Sequence, residues 1–150
     1  MTKEKLLFVI TKLELGGAQK HVLDVLRSLD REQFELFLYT AREGLLVDEA
    51  LSLEGVTVRR SRFLERPINP LKDLLALIEL FRYIAANRFD IVHTHSSKAG
   101  ILGRLAARFS GVRTVVHTVH GWSFNDLQPA FVRMLYRRLE RLCANFTSTI

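Results

Sequence analysis

The stretch LLFVITKLELGGAQKHVLDVLRSL, residues 6–29, decides the fold. Leu6 to Thr11 is an apolar and β-branched run without alternation, which is how a parallel strand buried on both faces reads. Gly16-Gly17 follows, and then Val22, Leu23, Val25, Leu26 and Leu29 recur at helical spacing. The order is strand, glycine turn, helix, and it repeats along the chain. Phe34 to Thr40 reads as a second strand, Leu46 to Leu53 as a short helix, Val56 to Arg59 as a third strand, and Arg60 to Asn69 as a linker. Asn69-Pro70 starts a helix, because Asn caps and Pro is favoured at the first helical position. Leu71, Leu74, Leu75, Ile78, Phe81 and Ile84 or Ala85 then form its apolar stripe, ending near Asn87. Asp90 to His95 reads as a fourth strand, Ser97 to Ser110 as a helix closed by Gly111, and Val115 to Val119 as a fifth strand. Pro129 to Cys143 is a helix, and Phe146 to Ile150 begins a sixth strand. This alternation predicts right-handed βαβ units in an α/β, Rossmann-like open parallel sheet with helices on both faces.

Composition excludes several classes. The chain has 150 residues, 48% hydrophobic and 25% charged with only 3 Pro, so one ordinary folded domain is expected, not a disordered or low-complexity segment. A single cysteine, Cys143, has no internal partner, and the opening apolar run is broken too soon by Lys12 and Glu14 for a signal peptide. Both features point to a reducing, cytoplasmic address. The apolar run from Leu74 to Phe81 is far shorter than the roughly 20 residues of a membrane span. The chain stops inside a strand, which suggests a natural protein that continues past Ile150. Residues 99–150 hold seven arginines against Asp126 and Glu140, and so carry +5 of the net charge of +6. That local surplus suits an anionic partner.

In doubly wound sheets ligands sit outside the carboxyl ends of the strands, so the residues following each strand are the ones to weigh. Gly16 and Gly17 open the first helix, where bare backbone N–H groups and the helix dipole suit a phosphate; the same pair also reads as a simple tight turn. In the run Asp90 to Lys98, period-two geometry puts His93 and His95 on one face. His93 reads as a structural imidazole inside the strand. His95, with Ser96 and Lys98 beside a helix start, is placed to meet a polar or anionic ligand. His120, at the mouth of the fifth strand before Gly121, is the strongest candidate for chemistry, since its imidazole titrates near neutrality; His117 faces the other way. His-x-His is also a metal-ligand spacing, but no acid or thiol accompanies it, and no metal is expected. Arg133, Arg137 and Arg141 recur every four residues on the last helix. With Arg104 and Arg108, and with Arg59, Arg60, Arg62 and Arg66 of the linker, they form a basic face for anionic lipid headgroups, or a solvated helix surface. No nucleic-acid-binding signature is present.

Three segments together resemble a known family: LELGGAQKHVLDVLRSL, DIVHTHSSKAGILGRLAARFSGV and VVHTVHGWSF. In this order they look like the N-terminal domain of the retaining GT-B glycosyltransferases of family 4, of the type that builds bacterial cell-surface polysaccharide. The resemblance implies that residues 1–150 are the acceptor-binding half of an enzyme. A C-terminal donor-binding domain, outside this chain, would hold the nucleotide sugar, a UDP-sugar by preference. It implies that Gly16 and Gly17 lie at the cleft near the donor phosphate, that His120 reaches the transferred sugar or acceptor as the catalytic residue, and that His95, Ser96 and Lys98 line the acceptor pocket. Arg104, Arg108, Arg133, Arg137 and Arg141 would face the inner surface of the plasma membrane, where lipid-linked acceptors reside. It implies no cofactor or metal, because protein cations of the second domain stabilise the departing phosphate. This half alone should be inactive. Two other readings stand beside it: a UDP-sugar epimerase of the same architecture, and a non-enzymatic module that binds an anion or a membrane.

Overall fold

Leu7 and Val9 point to one side of the central strand and Leu6, Phe8 and Ile10 to the other, and all five are buried. A strand covered on both faces needs neighbours on both edges and helices on both sides. The computed structural model describes residues 2–121 and 130–150, and it meets that requirement. In chain order the elements are β1 (Glu4–Val9), α1 (Gly17–Ser28), β2 (Phe34–Ala41), α2 (Val47–Leu51), β3 (Val56–Ser61), α3 (Pro70–Asn87), β4 (Ile91–His95), α4 (Ser97–Phe109), β5 (Thr114–Thr118) and α5 (Ala130–Ala144). The strands form a parallel sheet in the order β3-β2-β1-β4-β5. Backbone bonding between β1 and β2 carries on through Thr11, whose carbonyl accepts from Ala41 N at 3.0 Å, so the strand expected over Leu6–Thr11 is present. Of the sixth strand there is only a beginning: Thr149 makes a parallel bridge with Val116, on the outer edge of β5. The expected helix start at Pro129 lies outside the described residues.

Two cores result. Under α1 and α2, Val22, Leu23, Leu26 and Ala50 pack on Leu6, Phe8, Leu36 and Leu38. On the opposite face, Ala76, Leu80 and Ile84 of α3 and Ala99, Leu102 and Ala106 of α4 pack on Leu7, Val9, Phe37, Val92 and Val115.

The rotation of α3 differs from the sequence expectation. Leu71, Leu74, Ile78 and Phe81, expected to face the core, are exposed by 69%, 53%, 45% and 37%, and the buried ridge is Ala76, Leu80 and Ile84. This helix is apolar nearly all round, so periodicity alone leaves its rotation open. Glu79 decides it. Its Oε2 accepts hydrogen bonds from Ser61 Oγ at 2.6 Å, Tyr39 Oη at 3.1 Å and the backbone N of Arg62 at 3.2 Å. A carboxylate with three donors at the sheet edge fixes which side of α3 turns inward. The same bonds explain why β3 runs on to Ser61, two residues into the expected linker. The expected start is correct: Asn69 Oδ1 accepts from Lys72 N at 3.1 Å, and Asp73 Oδ2 accepts from Asn69 N at 3.1 Å, a reciprocal cap.

Close approach of α4 to the sheet depends on two glycines. A Cβ at Gly100 would lie 2.5 Å from His117 Cε1, and one at Gly103 would lie 2.6 Å from Thr94 Cγ2. The His117 ring has little room to retreat, because its Nδ1 pairs with Thr94 Oγ1 at 2.9 Å. Gly17, by contrast, has open space where a Cβ would stand. Gly100→Ala is therefore expected to cost about 1–3 kcal/mol by overpacking, whereas Gly17→Ala should be neutral or stabilise by up to about 1 kcal/mol. Urea denaturation midpoints of the two variants measure the difference.

Candidate functional site

Strand order reverses between β1 and β4, and ligands of such sheets bind at the carboxyl ends of the strands flanking that point. An open cleft of about 460 Å³ lies there. Gly16 and Gln19 enter from the start of α1, Thr11, Lys12, Glu14 and Leu15 from the mouth of β1, and Ser96, Ser97 and Lys98 from the start of α4, with Arg66 and Tyr136 at the margin. Two helix N-termini thus open on one cavity, and the partial positive charge of each favours an anion there.

Ser96 holds the floor. Its backbone has φ 62° and ψ 157°, a region of φ/ψ space that is essentially reserved for glycine. Such a conformation costs on the order of 1–3 kcal/mol and persists only where its surroundings impose it. Here they do: Ser96 Oγ lies 2.7 Å from Thr11 Oγ1 and accepts from Thr11 N at 3.3 Å. Thr11 Oγ1 in turn accepts from Ala99 N at 3.2 Å, so a residue of the β1 mouth caps α4.

Lys98 lines the cleft but is not a free cation. Its Nζ donates to Asp73 Oδ1 at 2.6 Å and to the Pro67 carbonyl, and its side chain is only 11% exposed. Lys12 is held by Glu14 at 2.6 Å, and its hydrogen bond keeps the Glu14 carboxyl below the usual range. Arg66, exposed at the rim, is the cleft cation for which no ion pair is recorded among the described residues.

Next in sequence to the cleft residue Ser96 begins a group of imidazoles, none of which lines the cleft itself. His95 is fully buried, stacked on Phe8 with ring centroids 5.6 Å apart and against His93 at 4.2 Å. Its Nδ1 lies 3.0 Å from Nε2 of His120, which is exposed. His21, on the second turn of α1, meets His120 edge-on at 5.4 Å. His93 Nε2 bonds Thr118 Oγ1 at 2.8 Å, the structural imidazole expected. Burial pushes His93 down to about 4 and His95 to about 2, each reinforced by neighbouring imidazoles; burial and then Arg104 lower His117, and burial and then His21 lower His120. The buried rings are neutral near pH 7. Among the described residues no group of three His, Cys, Asp or Glu side chains is arranged to hold a metal ion.

Gly16, Ser96 and Lys98 come together in the cleft as expected, with Gly17 exposed beside it. Two expectations need correction. His95 does not line the pocket: a side chain at the inward pleat of a central strand's neighbour is covered, and it reaches the surface only through His120. Arg104 does not face a membrane. It is 0% exposed, donates from Nε to the Gly100 carbonyl at 2.8 Å, and pairs with Glu140 of α5 at 2.5 Å. Its place in the arginine series hid this, because α5 covers that side of α4. Arg108, Arg137 and Arg141 are exposed and Arg133 is partly so. Sequence reasoning passed over Thr11, His21 and Tyr136, and assigned Arg66 to a membrane-facing basic surface instead of the cleft. Thr11 was readable as a polar residue ending an apolar strand, and His21 as a histidine one turn beyond the glycines.

The match to known proteins follows the same residues. Residues 16–150 match the model of the glycosyl transferase 4-like domain. This chain belongs to that family. It is 40% identical over 136 residues, 91% of its length, to the Escherichia coli UDP-Gal:alpha-D-GlcNAc-diphosphoundecaprenol alpha-1,3-galactosyltransferase, and 30% identical over 116 residues to the O-antigen biosynthesis glycosyltransferase WbnH of the same organism. The glycosyl transferase 4-like chain spans 35% of the first relative and 32% of the second. Among solved structures, Anabaena Alr3699/HepE in complex with UDP and glucose superposes with a TM-score of 0.68 at 19% identity, over 97% of this chain and 36% of that one. MurG of Acinetobacter baumannii gives 0.66 at 15% identity over 97% and 40%, and a UDP-N-acetylglucosamine 2-epimerase gives 0.60 at 13% over the same shares. At such identities the likeness is one of fold.

The lowered imidazoles carry a pH signature. The unfolded chain binds protons on these histidines as pH falls below about 6.5, whereas folded His93 does so only near 4. Stability present above about pH 6.5 is therefore lost progressively as pH falls toward 4. Thermal melts should show a falling Tm from about pH 7.5 to about pH 5, and His93→Gln, which removes one such group, should flatten the fall. An unchanged slope in the variant contradicts the assignment.

Proposed function

We propose that this domain is the acceptor-binding half of a retaining glycosyltransferase that moves a sugar from a UDP-sugar to a lipid-linked, diphosphate-bearing acceptor in surface-polysaccharide synthesis. The observation that carries the reading is the cleft at the strand reversal, where two helix N-termini, Gly16 and Ser96 meet beside an exposed histidine. The relative named for UDP-Gal and GlcNAc-diphosphoundecaprenol, and the neighbour holding UDP and glucose, support the donor and acceptor classes.

In this reading the backbone at Gly16 and the start of α1 offer N–H groups and positive potential to phosphate oxygens. Ser96 presents its hydroxyl, and Lys98, fixed by Asp73, adds a cation with little rotamer freedom to lose on binding. His120 hydrogen-bonds the transferred sugar or the acceptor hydroxyl, holding it for attack on the same face from which the diphosphate leaves, which retains configuration. A second, donor-binding domain closes over the cleft and supplies the cations that neutralise the leaving group, so no resident metal or cofactor enters the reading. In the intact enzyme, His120→Ala should lower kcat for transfer by about 10²-fold while leaving the KM for the UDP-sugar within a few-fold. Transfer unaffected by the change removes His120 from the chemistry, and conversion of the UDP-sugar with no acceptor present would mark an epimerase instead.

The domain docks peripherally on the inner face of the membrane. Among the described residues no helix is long and apolar enough to cross a membrane. The docking patch is the outward stripe of α3, Leu71, Leu74, Ile78 and Phe81, together with Phe109 at the end of α4, 69% exposed. Arg82 and Arg108 are exposed on the same two helices, and Arg137 and Arg141 extend the basic surface onto α5. Burying such an apolar stripe at the headgroup boundary, with roughly 1 kcal/mol from each nearby Arg, suits anionic lipid. Leu74→Glu with Ile78→Glu is expected to abolish co-sedimentation with vesicles containing anionic phospholipid, and Arg137→Glu with Arg141→Glu to weaken it. Undiminished sedimentation of both variants overturns the docking.

A further inference from the structure

We infer that His95 is a positioning residue: it fixes the neutral tautomer of His120 so that Nδ1 of His120 carries the proton and faces the ligand as a hydrogen-bond donor. The inference rests on the reading of His120 as a ligand-facing group, and it makes that role a definite one, donation to an oxygen of the sugar or acceptor, not removal of a proton.

The geometry carries the argument. His95 Nδ1 and His120 Nε2 are 3.0 Å apart, so between two neutral rings one nitrogen donates and the other accepts. The question is which. His95 is 0% exposed, lies flat on Phe8 with 9° between the ring planes, and has the His93 ring against it at 4.2 Å. Its remaining nitrogen, Nε2, is buried and has no hydrogen-bond partner among the described residues. If His120 donated, His95 would carry its own proton on Nε2, leaving a buried N–H with no partner among the described residues. If His95 donates from Nδ1, Nε2 is left with a lone pair instead. Buried N–H groups without partners are the rarer of the two in proteins. The proton therefore sits on His95 Nδ1, and His120 accepts at Nε2.

The consequence reaches the surface. A neutral imidazole that accepts at Nε2 must carry its proton on Nδ1, the ring nitrogen left for a ligand. Burial lowers both rings, so the neutral pair holds near pH 7. His21, edge-on to His120 at 5.4 Å, restrains the ring from a second side. Groups facing the pair are thus His21 from α1 and His93 from β4, with no carboxylate among the described neighbours recorded as bonding it. Nothing there converts His120 into a strong base, in keeping with a donor role.

The test is long-range ¹H–¹⁵N correlation of the imidazole nitrogens in ¹⁵N-histidine-labelled protein near neutral pH, with His120→Ala to assign the resonance. The expected result is a protonated Nδ1 and a bare Nε2 on His120. A protonated Nε2 in the parent protein overturns the inference without recourse to any variant. His95→Phe keeps the volume and the stack on Phe8 but removes the donor, and should move His120 to the Nε2–H form that prevails in free histidine. His95→Asn places an amide N–H near the Nδ1 position and should restore the Nδ1–H form. In the intact enzyme, kcat should fall about tenfold or more in His95→Phe, with KM for the UDP-sugar little changed, and recover in His95→Asn. A His120 tautomer that ignores all changes at His95 also overturns the inference. If the tautomer responds as expected while no glycosyl transfer is found, the transfer reading fails and this one stands.

Discussion

The contact between the hydroxyls of Thr11 and Ser96, 2.7 Å apart across 85 residues of sequence, is the constraint on which the rest of the cleft depends. It joins the mouth of β1 to the start of α4 where the strand order reverses, and it keeps Ser96 in a backbone conformation that a serine otherwise avoids. Thr11 also takes the Ala99 N–H that a local cap would ordinarily satisfy, and no side-chain cap at Ser96 performs that task. The start of α4 is thereby fixed from outside its own segment. Lys98, one residue into the helix, is then delivered to Asp73 of α3, and His95, one residue before Ser96, is turned beneath the surface.

Polar groups elsewhere act in the same way, as rotational stops on apolar elements. α3 offers hydrophobic residues to almost every direction, and the hydrophobic effect has no preferred angle about such a helix. Glu79 supplies the preference by accepting from Ser61, Tyr39 and the Arg62 backbone. Arg104 does so for α4 and α5 through Glu140, at the cost of burying a charge. Each choice leaves something exposed that sequence pattern assigned to the interior, or hides something assigned to the surface. The outward stripe of α3 and the inward Arg104 are two sides of one effect.

The order of elements was legible before any coordinates. The central strand announces itself by an unbroken apolar run, the others by shorter β-branched or aromatic stretches, and the turns by Gly, Asn or Pro, because those signals are local. The candidate positions at strand mouths were legible for the same reason: once a parallel sheet is accepted, Gly16, Ser96, Lys98 and His120 fall where ligands of such sheets bind. The resemblance to family 4 glycosyltransferases added what local signals could not carry, namely a class of reaction. His21 escaped because its place one turn beyond the glycines, the one local sign it gives, does not reveal that it meets His120.

What the sequence determined by itself is therefore the parallel α/β fold, the glycine turn into α1, the cap of α3 and the family. The first three follow from propensities and periodicities acting over a few residues, and the family from the resemblance of three segments taken together. Only the tertiary structure decided that His95 lies behind His120, that Thr11 holds Ser96, that Arg104 is buried against Glu140, and that α3 turns its larger apolar stripe outward. Those outcomes depend on hydrogen bonds between groups about 20 to 85 residues apart. Their energy depends on which partner the fold brings within 3 Å or so, and no local pattern encodes that distance.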